Sequence, residues 1–338
     1  MTLGEFFQRY QSNRPPGKET NTSYTESIHI KHLLRLLAEN TPLSEIPIRA
    51  QSYATARYAE KTRTGNPISH VTIKKELGTL SSIWNQWGIN EGIVTAPLSF
   101  KRVQLPKRKQ QPRFQTWDEV MRKSKGDLTS ELWESVFLSV SETQALLADV
   151  RDGKSIIRGQ ARYFPFTFPM FAFVAYTGCR RSEMLRARVE DIDFSRNELT
   201  IREKKRDRTK EETYRHVPLA PALKAILQDW LKTHPGGEIL FCRTAGESIT
   251  AQMASHHFRW AVEATKWKPL PGFHVLRHSF VSNLASRGVS DHVIMGLVGH
   301  LNRETTRRYL HLRPQTLEAA LGLLYGEGTP AEKLLEPT

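Results

Sequence analysis

Thr177-Gly178-Cys179-Arg180-Arg181-Ser182-Glu183 closes a long apolar and aromatic run, Tyr163 to Tyr176, and these two adjoining segments decide how the chain is read. The run is shorter than the roughly 20 residues a helix needs to cross a bilayer. It predicts instead a core helix that leads directly into Arg180. Three further polar boxes follow: His274-Val275-Leu276-Arg277-His278, Gly299-His300, and Tyr309-Leu310-His311. Guanidinium forks bind the oxygens of a phosphodiester, imidazoles move protons, and a phenol can attack phosphorus. One such box means little in a basic chain. Four in this order point to chemistry on a DNA backbone.

The whole chain is compatible with that reading. Its 338 residues exceed the usual size of one domain, and 39% hydrophobic content with mixed charges describes a folded protein rather than a disordered one. A formal charge of +14 attracts polyanions, although charge by itself does not choose among DNA, RNA and a membrane surface. Cys179 and Cys242 are the only cysteines, too few and too far apart for a thiolate zinc site or a disulfide framework, so reduced cytoplasmic thiols are expected. Met1 to Tyr10 contains Glu5 and lacks the basic-then-apolar order of a secretory signal. There is no phosphate-loop lysine pattern, internal repeat or low-complexity tract.

Two helical stripes stand out in the first hundred residues: Ile28, Leu33, Leu34 and Leu37, then Ile73, Leu77, Leu80, Trp84 and Trp87. Both predict packing into a small helical bundle, with the tryptophans as core rather than as base-stacking platforms. Lys101, Arg102, Lys107, Arg108, Lys109 and Arg113 follow without an acidic residue and are punctuated by Pro106 and Pro112. That composition predicts an extended basic linker along DNA. Helices are expected to begin at Trp117 and to occupy Leu138 to Leu147, with a turn at Arg151 to Lys154. Alternation about Leu199 and Ile201, a polar run from Lys204 to Glu212, and Tyr214 to Leu219 predict a β-hairpin with a long basic tip. Pro221 opens a helix whose buried face is Leu223, Ile226, Leu227, Trp230 and Leu231. Later helices are expected over Ala251 to Ala264, His274 to Arg287, and Ser290 to Leu297, the last capped by Ser290.

Taken together, the four boxes resemble the tyrosine recombinases, the phage-integrase family of site-specific DNA recombinases, and Tyr309 stands nine positions after His300 as in that family. The resemblance implies a fold that is mainly α with a small antiparallel β-sheet. It would comprise a helical, SAM-like core-binding domain over 1–105, a basic linker over 106–113, an α+β catalytic domain over 114–328 and a tail over 329–338. It implies Tyr309 as the nucleophile, forming a 3′-phosphotyrosyl bond, with Arg180, Arg277 and His300 holding nonbridging oxygens and His274 positioning the phosphate or assisting proton transfer. Lys205, with Lys204 as the alternative, would protonate the departing 5′ oxygen. Glu183 would hold nearby donors in place without touching DNA. Arg206, Arg208 and Lys210 would add DNA contacts from the hairpin. Arg181, Arg186 and Arg188 read as ordinary surface salt bridges, and most of the stretch from Arg202 to Arg215 reads as a plain solvated charge run.

The phosphotyrosyl bond stores the linkage, so no ATP, metal or other cofactor is expected. Asp191 and Asp193 have no carboxylate cluster to support a metal. The expected partners are double-stranded DNA and three further copies of the chain, a homotetramer on paired recombination sites, in the cytoplasm with the nucleoid and without a membrane. Leu317, Leu321 and Leu324 would close either this chain's own core or a neighbour's. Whether a DNA-bending accessory protein takes part is left open. Two rivals share much of the pattern: a type IB topoisomerase, which relaxes DNA without a partner molecule, and a DNA-binding protein of the same fold without strand exchange. The compact layout favours a recombinase over the first, and retention of every principal residue argues against the second.

Overall fold

Apolar side chains recurring every three to four positions build the first part of the chain as helices. The structure is a computed structural model describing residues 1–14, 17–18, 20–62, 65–105, 113–127, 131–153, 155–157, 159–203 and 213–299. The chain divides into two compact units, Met1–Gln110 and Gln111–Thr338.

In the first unit, α1 (Leu3–Ser12) starts at a reciprocal cap between Thr2 and Glu5. Then come α2 (Thr20–Leu37), α3 (Ile46–Ala59) and α4 (His70–Ile83), the last capped by Ser69 and prolonged by a π-helical turn over Trp84–Gly88. Ile73, Leu77, Leu80, Trp84 and Trp87 are all buried. Phe6 lies 5.7 Å from Trp84 and 5.5 Å from Trp87 between ring centroids, so the tryptophans are core. The α2 stripe differs from expectation at one position. Ile28 is 41% exposed, and Ile30, Leu33 and Leu37 face inward, because a three- and four-residue step back from Leu37 lands on Ile30.

The basic segment also differs from a free linker over its first residues. Phe100, Val103 and Leu105 pack on the core of this unit. The Gln51 amide clamps the backbone of Gln104, accepting from its N–H at 2.8 Å and donating to its carbonyl at 3.1 Å. Lys101 and Arg102 are therefore exposed on anchored backbone. Lys107, Arg108 and Lys109 lie outside the described residues.

The described part of the second unit opens with Arg113, exposed, and Phe114, buried against Phe137, Val281, Ile294 and Val298. Strand β1 (Gln115–Thr116) pairs in parallel with β2 (Val136–Phe137), and α5 (Trp117–Ser124) lies between them in sequence. Next are α6 (Val140–Asp152) and a short hairpin, β3 (Ser155–Ile157) with β4 (Gln160–Arg162), which the sequence reading did not anticipate. Helix α7 (Thr167–Thr177) is apolar all round and packs against α6, α9 and α11 at the centre of the unit. It starts later than the aromatic run suggests: Tyr163 precedes it and is 68% exposed.

After α8 (Arg181–Met184), strands β5 (Ile192–Asp193), β6 (Glu198–Glu203) and β7 (Thr213–Pro218) form an antiparallel sheet in that spatial order. The chain then runs through α9 (Pro221–Lys232), α10 (Ala251–Val262), α11 (His274–Ser286) and α12 (Asp291–Val298). Ser290 caps α12, its hydroxyl accepting from the Val293 N–H. The fold is mainly helical with a small antiparallel sheet, and no described helix is long and apolar enough to cross a membrane.

Candidate active site

A buried helix that must stop abruptly builds the first corner of the site. Gly178 ends α7 at φ +60°, and its amide donates to the Val174 carbonyl at 2.9 Å. A Cβ there would lie 2.4 Å from Cδ1 of Phe280, so space as well as backbone conformation calls for glycine. The turn brings out Arg180, immediately before α8, while Glu183 falls on the buried side.

Glu183 collects donors from three directions. Its Oε2 accepts the Arg180 backbone N–H at 2.9 Å and Nη2 of Arg215 at 2.9 Å, and its Oε1 accepts Nη1 of Arg180 at 2.7 Å. Burial alone would raise its pKa. The hydrogen bond and charge of Arg215, followed by the bonds from Arg180, outweigh burial and bring the carboxyl down to about 2. It is a fixed anion that holds two guanidinium groups.

The second corner is α11, whose first residue is His274 and whose one-turn spacing places Arg277 beside it. Arg277 is 4% exposed and donates from Nη1 to the Gly178 carbonyl at 2.6 Å and from Nη2 to the Val298 carbonyl at 2.8 Å. Arg180 reaches the same end of α12, donating from Nη2 to the Gly299 carbonyl at 3.0 Å. Burial and then the charge of Arg180 lower the pKa of Arg277 to about 10. It stays protonated at neutral pH.

His274 borders a cavity of about 460 Å³ with Arg181, Ser255, Arg259 and His278. Desolvation on its protein side, then the charges of Arg277, Arg181 and Arg180, depress its pKa below the ordinary imidazole value. At neutral pH it is an uncharged imidazole, able to accept a proton. The His278 ring packs on Phe114, with centroids 4.6 Å apart.

Several residues behave differently from the sequence reading. Arg181 donates from Nη1 to the Ser255 hydroxyl and faces the His274 cavity, instead of making a surface salt bridge. Arg186 donates to the Arg202 carbonyl at 3.4 Å. Arg188 does pair with carboxylates, Glu190 at 3.3 Å and Glu238 at 3.5 Å. The strand ends of the hairpin are not a solvated charge run. Arg202 grips Asp191 through Nε at 2.8 Å and Glu190 through Nη2 at 2.8 Å. The Arg215 side chain is 9% exposed and that of Glu203 7%, and they bond at 2.9 Å.

Arg215 is the residue the sequence reading missed, and the signal for it was there. It sits opposite Ile201 across the ladder, as Val217 sits opposite Leu199, so its side chain shares the core face with Leu199 and Ile201.

Asp191 also receives the Arg188 backbone N–H at 2.8 Å, and Asp193 caps the turn to Ser195 and Arg196. Both carboxylates thus have structural work, and no cluster able to hold a metal occurs among the described residues. Lys204, Lys205, Arg206, Arg208 and Lys210 lie outside the described residues, as do His300, Tyr309, Leu317, Leu321 and Leu324. Among the principal positions, the structure brings together Arg180, Glu183, His274 and Arg277.

Comparison with known proteins gives a consistent picture. Residues 137–316 match the model of the phage integrase family. The tyrosine recombinase XerC of Staphylococcus aureus (strain MSSA476) is 23% identical over 279 residues, covering 80% of each chain. Among solved structures, the Tn1549 transposon integrase in complex with a circular intermediate DNA aligns with TM-score 0.67 at 16% identity, over 96% of this chain and 99% of that one. A lambda integrase dimer bound to a COC′ core site aligns with TM-score 0.60 at 18% identity, over 90% and 97%. The structural likenesses establish the fold, and the family model spans the segment that carries the arginine boxes, the histidines and the tyrosine. The chain belongs to the phage integrase family, the tyrosine recombinases.

Proposed function

We propose that this chain is a site-specific DNA recombinase in which Tyr309 attacks the scissile phosphorus of double-stranded DNA. The bond from the phenolic oxygen to phosphorus forms as the bond from phosphorus to the 5′ oxygen breaks, leaving a 3′-phosphotyrosyl linkage. Attack by a different 5′ hydroxyl reverses these events and exchanges strands. Arg180 and Arg277, with His300, hold the nonbridging oxygens. His274, neutral at pH 7, takes up the phenolic proton. Lys205, or Lys204 beside it, gives a proton to the departing 5′ oxygen.

One observation carries this reading. Arg180 and Arg277 come from boxes nearly a hundred positions apart, yet both donate to consecutive carbonyls, Val298 and Gly299, at the end of α12. Gly299 is followed in the chain by His300. Two cations are thereby locked to the approach of the third phosphate-binding residue. Such prearranged donors act where charge concentrates in the transition state. Exposed Lys101, Arg102 and Arg113, together with Lys107, Arg108, Lys109, Arg206, Arg208 and Lys210, supply the contacts that position the duplex. Four copies of the chain on two paired sites complete the exchange, in the cytoplasm with the nucleoid.

The test is strand exchange between two DNA fragments carrying the recombination site, in EDTA and without ATP. Recombinant junctions support the proposal. Relaxation of a supercoiled plasmid without junctions favours the topoisomerase reading, and specific binding without either product favours the binding-only one.

A further inference from the structure

Three catalytic elements meet at one side chain that plays no part in the family pattern quoted above. Arg215, on β7, donates from Nη2 to Oε2 of Glu183 at 2.9 Å, from Nη1 to Oε1 of Glu203 at 2.9 Å, and from Nε to the Leu297 carbonyl at 2.8 Å. Glu183 holds Arg180, and Leu297 stands two residues before Gly299, which also receives Arg180. Glu203 ends β6 and immediately precedes Lys204 and Lys205. Both carboxylate side chains are nearly sealed from solvent, at 2% and 7% exposure, so the fork works where water does little to screen it.

A guanidinium with three bonds in three directions has one orientation. Leu199, Ile201 and Val217 already fix the register of the hairpin in the core, so the Arg215 fork adds the orientation of the strand ends rather than their pairing. The strand end that Arg215 grips is the one that continues into the candidate general acids.

We propose that Arg215 is a positioning residue for leaving-group protonation: through Glu203 it fixes the base of the β6–β7 hairpin relative to the arginine pair. The proposal rests on the reading that a hairpin lysine is the general acid. In the step concerned, the ammonium proton moves to the 5′ oxygen as its bond to phosphorus breaks, and the lysine is left neutral. A 5′ sulfur departs as a stable thiolate and needs no such proton. Replacing that one oxygen by sulfur therefore separates loss of acid catalysis from general damage to the site.

The experiment measures covalent adduct formation by the full chain on a nicked recombination-site duplex with oxygen or sulfur at the bridging 5′ position, at matched DNA occupancy. Arg215→Ala and Glu203→Gln are each expected to slow the oxygen substrate at least about 10-fold more than the sulfur substrate, within the range general acid catalysis supplies. Arg215→Lys should recover part of the loss. Equal slowing on both substrates would overturn the proposal, leaving Arg215 a support for Glu183 alone. If Arg215→Ala does not fold, Glu203→Gln, which keeps the shape and the acceptor, gives the same ratio by itself. Lys204→Ala and Lys205→Ala, measured in parallel, report separately on the lysine reading: sulfur rescue of one identifies the acid, and rescue of neither refutes a lysine acid whatever Arg215 does.

Discussion

The Arg277 guanidinium donates to the carbonyl oxygen of Gly178 at 2.6 Å, across 99 positions of sequence, and so ties the start of α11 to the turn that presents Arg180. A second amino group of the same fork reaches Val298. Lysine cannot span both carbonyls from a single point charge. Arg277→Lys is therefore expected to lower the rate of adduct formation on the order of 100-fold, the scale of losing one oxyanion donor, while DNA affinity stays near wild type. Single-turnover cleavage and a gel-shift titration measure the two quantities.

Gly178 is constrained by both space and backbone. With φ at +60° and Phe280 in the way of a Cβ, Gly178→Ala forces either the ring or the turn to move. A loss of about 1–3 kcal/mol is expected, the range for overpacking and for strained backbone. Cleavage should fall further than stability explains, because Arg180 is two residues away. Urea unfolding compared with cleavage under conditions where the variant is folded checks both parts.

Glu183 makes acid sensitivity specific. Its pKa falls from an ordinary 4.5 to about 2 on folding, so the unfolded chain binds the proton more tightly. The stabilisation is fully present above pH 4.5 and drains away as pH falls toward 2, amounting to on the order of 3 kcal/mol. Glu183→Gln should flatten that part of the stability profile and also weaken the fold at neutral pH by leaving Arg215 short of a charged partner. Denaturant midpoints between pH 2 and 6 for the two proteins measure it.

His274 has a folded pKa below its ordinary 6.5, so protons favour the unfolded state here as well. Its contribution to stability is present above 6.5 and is lost as pH falls through the folded value. The chemistry has the same sign. Adduct formation should decline on the acid side as the imidazole becomes charged, and His274→Gln should be slow but lack that limb. A pH–rate profile of the two proteins shows it.

Much of this was legible in the sequence where period and spacing carry the information. The helix from Pro221 buries Leu223, Leu227 and Trp230 as its stripe requires, and Ser290 caps α12 because its hydroxyl is placed for the Val293 amide. What escaped was tertiary. Ile28 belongs to an apolar run but not to the face that α3 and α4 cover. Arg215 looked like one more cation in a basic stretch, since strand alternation reveals which face it occupies but not that two buried carboxylates wait there. Arg181 reads as one more salt-bridged cation because its partner, the Ser255 hydroxyl, lies 74 positions away.

The most direct measurement is an SDS-resistant adduct assay on DNA carrying the recombination site, without ATP or metal, comparing the wild type with Tyr309→Phe at equal DNA occupancy. A covalent complex formed by the wild type alone, with the phosphate mapped to Tyr309, is the expected result. An adduct that persists in Tyr309→Phe, or no adduct from wild-type protein fully bound to its site, would contradict strand cleavage by this tyrosine.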